Sequence, residues 1–188
     1  GGRSFVVPVP PGPAPEREIG GRVYAAPVTA ARQPALFRDY GVPDTLQGRF
    51  EMMAMHLFPL LHRLTHEPGD DPALARDIAE CFVTDMDAAL REMGVGDVSV
   101  PKRMNKLYGS FAGRIAAYGK AFSEGEGALV AAVARNVFPD GADDSPALAL
   151  AGHLAATAAA IRAASLDQLR RGEAPFPPPS PVQQERPP

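Results

Sequence analysis

The stretch from Gly41 to Leu64, GVPDTLQGRFEMMAMHLFPLLHRL, constrains the fold more than any other part of the chain. Pro43 has no amide hydrogen and drives Val42 toward extended geometry, so Gly41-Val42-Pro43 breaks whatever precedes it. Asp44 then stands where a helix cap is wanted, with Gln47 three residues on as its capping-box partner. Beyond it Leu46, Phe50, Met53, Leu57, Leu60, Leu61 and Leu64 recur at helical spacing. That pattern predicts a long helix, 44–66, with a face built for burial and other helices arranged around it. Pro59, inside the pattern, predicts a kink.

The remaining punctuation is also helical. Residues 1–19 are rich in proline and glycine around Phe5-Val6-Val7 and read as a flexible arm. A helical piece over about 21–40 carries Val23, Tyr24, Val28, Leu36 and Phe37, with Pro27 and Pro34 expected to split it in two. Asp71-Pro72 opens a helix that runs to Met93 and stops at Gly94. Ser99 is the expected cap of the next, Val100–Glu124, and another covers about 126–138. Ser145-Pro146 launches the last, expected to continue to about Arg171 before Gly172. Pro175–Pro188 reads as a disordered tail with polyproline character. No segment alternates like a strand. The expected fold is all-α: a compact irregular bundle of about six or seven helices over 20–171, between disordered proline-rich ends at 1–19 and 172–188.

Composition excludes several classes of function. The net charge of −3 gives the whole molecule no general attraction for nucleic acid or anionic lipid, so any such binding must come from a local patch. A single cysteine, Cys81, excludes an internal disulfide and multi-cysteine metal sites, and its place on an apolar helix side predicts a small buried hydrophobe. The most apolar stretch, Ala147–Ala164, contains His153, Thr157 and Arg162 and does not read as a transmembrane helix. His62 and His66 have the four-residue spacing of metal ligands, but no third ligand accompanies them, and no cofactor is expected. Phosphate-loop, nucleophile-elbow and kinase signatures are absent.

Three groups of side chains stand out as candidate binding or structural residues. On the helix 100–124, Lys102, Arg103, Lys106, Arg114 and Lys120 form a cationic wedge without an intervening acid. It is either a solvated face paired with an acidic neighbour, or a docking surface for ribosomal RNA, anionic lipid headgroups or acidic client loops. Arg114 lies nearest the buried edge. The strip Gly109, Ala112, Gly113 and Ala116 on the same helix is expected to be an internal packing contact. Met52 and Met55 point away from the main apolar stripe of 44–66, and either line a groove for hydrophobic client helices or pack beneath the N-terminal helix. Asp85 falls inside the apolar stripe of 72–93 and is expected to form a buried ion pair with Arg49 or Arg114.

The runs "GVPDTLQGRFEMM", "MHLF" and "DMDAALREMGVGD", with Arg114 and Tyr118 in "GRIAAY" and the segment "VARNVF", carry a resemblance. Over roughly Val23 to Ala164 the chain is similar to the ubiquinol–cytochrome c chaperone family, assembly factors of respiratory complex III. The resemblance implies a non-enzymatic chaperone at the inner face of an energy-transducing membrane. Its implied partners are newly made cytochrome b, and beyond that the ribosome, a small helper protein or the membrane surface, but no DNA. The Ala- and Arg-rich composition, with no transit pattern read at the start, points to a bacterial version working from the cytoplasm; a eukaryotic one would work on the mitochondrial matrix side. Two other readings stay open: an RNA- or ribosome-binding helical module using the cationic wedge, and a small metal-dependent helical-bundle enzyme, which needs a buried cluster of carboxylates and histidines.

Overall fold

The computed structural model describes residues 15–66, 70–94, 96, 99–141 and 143–181. Among them are eight helices and no strand, so the all-α expectation holds. The helices are α1 (Pro15–Ala31), α2 (Pro34–Arg38), α3 (Leu46–His66), α4 (Pro72–Glu92), α5 (Val100–Glu124), α6 (Glu126–Val137), α7 (Ser145–Ala163) and α8 (Leu166–Arg170). Helices α2 and α8 are five residues each; the other six carry the architecture.

Helix α3 is the axis. It packs against α1, α4, α5, α6 and α7, and these neighbours touch one another in the order α1–α4–α5–α6–α7. The short α8 then returns to α1, closing the ring. An encircled helix has no solvent face, and every residue from Phe50 to Leu61 is buried, polar Glu51 and His56 included. Each large apolar side chain so buried stabilises the fold by roughly 1.5–3 kcal/mol. Pro59 stays inside α3, as Pro27 stays inside α1, because tertiary packing on both helices offsets the one backbone hydrogen bond that each proline removes. Only Pro34 marks a break, so the expected split at Pro27 does not occur.

Several helix ends differ from expectation for identifiable reasons. Helix α3 is capped by Thr45, whose Oγ1 accepts from the Gly48 amide at 3.0 Å, and Asp44 is held instead by Arg49 at 2.9 Å. Asp71 caps α4 as expected, accepting from the Leu74 amide at 3.1 Å, whereas Ser99 gives α5 no side-chain cap. The single final helix is in fact two: Ala164 turns extended, and Ser165 starts α8 by accepting from the Gln168 amide at 3.1 Å. Helix α7 is long and apolar enough to cross a membrane by length and composition, and here its Leu150, Leu154 and Ile161 enter the core.

Both ends differ from the expected flexible segments. Residues 15–19 already belong to α1, while 1–14 and 182–188 lie outside the described residues. Residues 173–181 run without regular structure, yet they pack as a strap. Gly172, at φ +79°, lets the chain pass so close to α1 that a Cβ there would meet the Arg22 carbonyl oxygen at 2.9 Å. Phe176 then lies half-buried beside the His56 ring, with centroids 6.4 Å apart, and the Tyr40 hydroxyl donates to the Ser180 carbonyl at 2.8 Å.

Candidate functional site

Helix α5 is peripheral, and its wheel translates directly into a surface. Lys102, Arg103, Lys106 and Lys120 are all exposed. Among the described residues Lys102, Arg103 and Lys106 have no ion-pair partner, and Lys120 makes only a loose 3.7 Å pair with Glu124. The expected packing of the small strip is overturned: Gly109, Ala112, Gly113 and Ala116 face outward, and a Cβ added at Gly109 or Gly113 would meet nothing within 4 Å. The outer side of α5 is therefore smooth as well as cationic.

Arg114 belongs to the interior. Its Nη2 lies 2.8 Å from Glu51 Oε1, and its Nε donates to both carboxylate oxygens at 2.9 and 3.0 Å. Gln47 adds a third donor group, with Nε2 at 3.0 Å from Oε1. Glu51, in the middle of α3, is thus a buried carboxylate that sequence analysis did not single out. The glutamate's hydrogen bonds raise the Arg114 pKa above its ordinary value. Nearby, burial and the Glu51 charge push the Tyr118 hydroxyl upward. That hydroxyl and the Asn136 amide nitrogen are close neighbours, but neither makes a hydrogen bond of ordinary geometry.

The expected Asp85 ion pair is replaced by a neutral donor. Asp85 is exposed and accepts from the Tyr24 hydroxyl at 2.6 Å, while Arg49 serves Asp44 and Arg114 serves Glu51. Burial, followed by the hydrogen bond to Asp85, raises the Tyr24 pKa well above the ordinary phenol range. Half-buried Cys81 lies beside this pair, its thiol pKa raised by burial and by the charges of Asp85, Asp77 and Glu80. A raised thiol pKa disfavours the nucleophilic thiolate.

Met52 and Met55 are buried, at 0% and 1% exposure, so they are core residues and not groove lining. A groove does exist elsewhere, where the end of α1, α2, the start of α3 and the end of α4 meet. It has a volume of about 910 Å³ and an apolar floor of Phe37, Leu46, Phe50, Met53, Met86 and Ala89. Arg32, Arg38, Arg49, Asp44 and Glu92 form its rim, where Arg49–Asp44 and Arg38–Asp39 are ion-paired at 2.9 Å. Such a floor accepts apolar side chains of varied shape, because methionine adapts its rotamers to the partner. Leu46, half-exposed at the helix start, stands at its edge, and no signal in the sequence marked it as groove lining.

The histidines divide into two pairs. His62 and His66 stack with ring centroids 4.3 Å apart at the end of α3. His56 and His153 lie 5.6 Å apart under the strap, with His56 Nδ1 on the Met52 carbonyl at 2.7 Å and its Nε2 buried without a partner. Desolvation lowers the His56 pKa to about 4 and lowers that of His153 as well. Among the described residues no three His, Cys, Asp or Glu side chains converge to hold a metal ion.

The family model described as ubiquinol-cytochrome C chaperone matches residues 38–176, a span that includes α3, the groove floor from Leu46 onward, the Glu51–Arg114 pair and α5. The crystal structure of the Cbp3 homolog from Brucella abortus is similar at 40% identity, with a TM-score of 0.77, covering 86% of this chain and 90% of that one. No curated protein matches the chain significantly.

Proposed function

The chain belongs to the ubiquinol–cytochrome c chaperone family, and from that premise we propose that it is an assembly chaperone of respiratory complex III which holds unassembled cytochrome b and makes or breaks no covalent bond. The observation that carries this reading is the family match across the central helix and its partners. The physical support is the apolar groove beside α2: a client bound for a bilayer exposes apolar helical surface before it is inserted, and a methionine- and phenylalanine-floored groove offers that surface somewhere to bury. On this reading the protein works from the cytoplasm at the inner membrane of a bacterium, on the side where cytochrome b leaves the ribosome. Any helper protein or ribosome contact is secondary to the client.

The test is genetic and direct. Deleting the gene should deplete assembled complex III and the cytochrome b haem signal while leaving other respiratory complexes intact. A crosslinker placed at Leu46 or Phe37 should capture cytochrome b in intact cells. Normal complex III in the deletion strain would sink the proposal.

A further inference from the structure

We propose that the outer face of α5 is a landing surface for an anionic lipid bilayer, and that its lysines make the contact. Every lysine in the chain, Lys102, Lys106 and Lys120, lies on this one face; all other basic side chains are arginine or histidine. At about 100° per residue the three fall within roughly 40° of arc, and at 1.5 Å per residue they span about 27 Å along the helix. Between them Gly109, Gly113 and Ala116 carry no large side chain, so the surface separating the three lysines is smooth, and the single acid paired with them among the described residues is Glu124, 3.7 Å from Lys120. Exposed Arg103 adds a fourth charge at the margin, no acid occurs in α5 before Glu124, and the amino end of the helix is itself partly positive.

The shape and the chemistry of this face both select a lipid plane over RNA. Reading nucleic acid takes side chains that enter a groove or stack on bases, and Tyr108, the exposed aromatic residue of α5, stands roughly 120–160° around the helix from Lys102 and Lys106. Bidentate, positioned recognition of a nucleic-acid backbone also favours the forked guanidinium. This chain uses arginine freely, yet it places lysine, a compact charge on a flexible apolar stem, along the smooth face. Lysine suits a diffuse layer of headgroups, where the stem lies on apolar surface and the charge stays in water.

The proposal deepens the assembly reading by giving it an orientation at the membrane, and it rests on that reading only for its purpose. Its test therefore uses the purified full chain. The protein should sediment with vesicles of phosphatidylcholine mixed with phosphatidylglycerol, not with phosphatidylcholine alone, and salt should weaken the binding. Each lysine near an anionic surface strengthens binding about five-fold, so Lys102→Gln/Lys106→Gln/Lys120→Gln should lose roughly 100-fold. The matching lysine-to-arginine variant should retain binding, and unchanged far-UV circular dichroism would show that both variants are folded. Equal binding to neutral vesicles, full binding by the glutamine variant, or tighter binding to an RNA duplex than to anionic vesicles at the same salt would each overturn the proposal. If the vesicle result fails while complex III still depends on the gene, the landing surface falls and the assembly role stands.

Discussion

Replacing Arg114 with methionine tests whether a buried ion pair locks α5 to the central helix. Glu51 is 1% exposed and takes three contacts of 2.8–3.0 Å from Arg114, against a single 3.0 Å bond from Gln47. Methionine replaces the aliphatic stem but leaves the carboxylate with one amide donor. Removing one partner of a buried pair costs roughly 3–5 kcal/mol. The Arg114 side chain is 28% exposed, so water reaches the vacated side and the cost falls near the lower end, about 3 kcal/mol. In a domain of this size each kcal/mol moves Tm by roughly 2–4 °C, which predicts a fall of about 6–12 °C in thermal unfolding followed by far-UV circular dichroism. The double variant Glu51→Gln/Arg114→Met removes the orphaned charge and should recover about 1 kcal/mol or more relative to Arg114→Met alone. If Arg114→Met lies within about 1 kcal/mol of the parent, or the double variant equals the sum of the singles, the pair does not hold the two helices and the reasoning fails.

Two further outcomes follow from the packing and the buried histidines. Gly48→Ala should destabilise by roughly 2 kcal/mol or more, because its Cβ would lie 1.8 Å from the Pro43 carbonyl oxygen, whereas Gly113→Ala, in open space on α5, should stabilise by about 0.5–1 kcal/mol; matched denaturant midpoints for the two would contradict this. His56 has its pKa depressed from 6.5 to about 4 by burial, so the unfolded chain takes up the proton first as the pH falls. Its contribution is fully present above about pH 6.5 and is lost progressively toward pH 4, on the order of 3 kcal/mol in all, with His153 acting in the same direction. Urea midpoints across that window should slope less steeply in His56→Leu than in the parent, and equal slopes would contradict the assignment.

The fold was legible in the sequence wherever a helix boundary was a local event. Asp71-Pro72, Gly94 and Gly172 ended or began helices as read, since caps and positive-φ glycines act through their own backbone. Boundaries set by competition were not legible. Asp44 lost its capping role because Arg49 held it, and Thr45, one residue on, had the shorter reach to Gly48. Pro27 was read as a break although α1 packs against both α3 and α4, and that packing outweighs one missing backbone hydrogen bond. Ser165-Leu166-Asp167-Gln168 did carry a capping signature, and its cap divides the last helix from α8.

The same distinction decides which surfaces a sequence reveals. A wheel assumes one buried face and one wet face, and α5, with neighbours on one side only, obeys it: Lys102, Arg103, Lys106 and Lys120 are exposed, while Arg114, nearest the buried edge, turns in to Glu51. Helix α3 violates the assumption because neighbours surround it. Residues off its main stripe, Met52, Met55, Glu51 and His56, are as buried as those on it, and the groove offered as one alternative for the two methionines followed from treating an axis as a wall. The groove that does open draws Phe37 from α2, Leu46 and Met53 from α3 and Met86 from α4, and the period of one helix says nothing about which neighbours complete such a groove. Asp85 shows the limit from the opposite side: its stripe position demanded a charge partner, but placement at the exposed edge of α4 reduced the demand to one phenol. A peripheral helix therefore declares its wet face in sequence, and a central helix declares only that it is central.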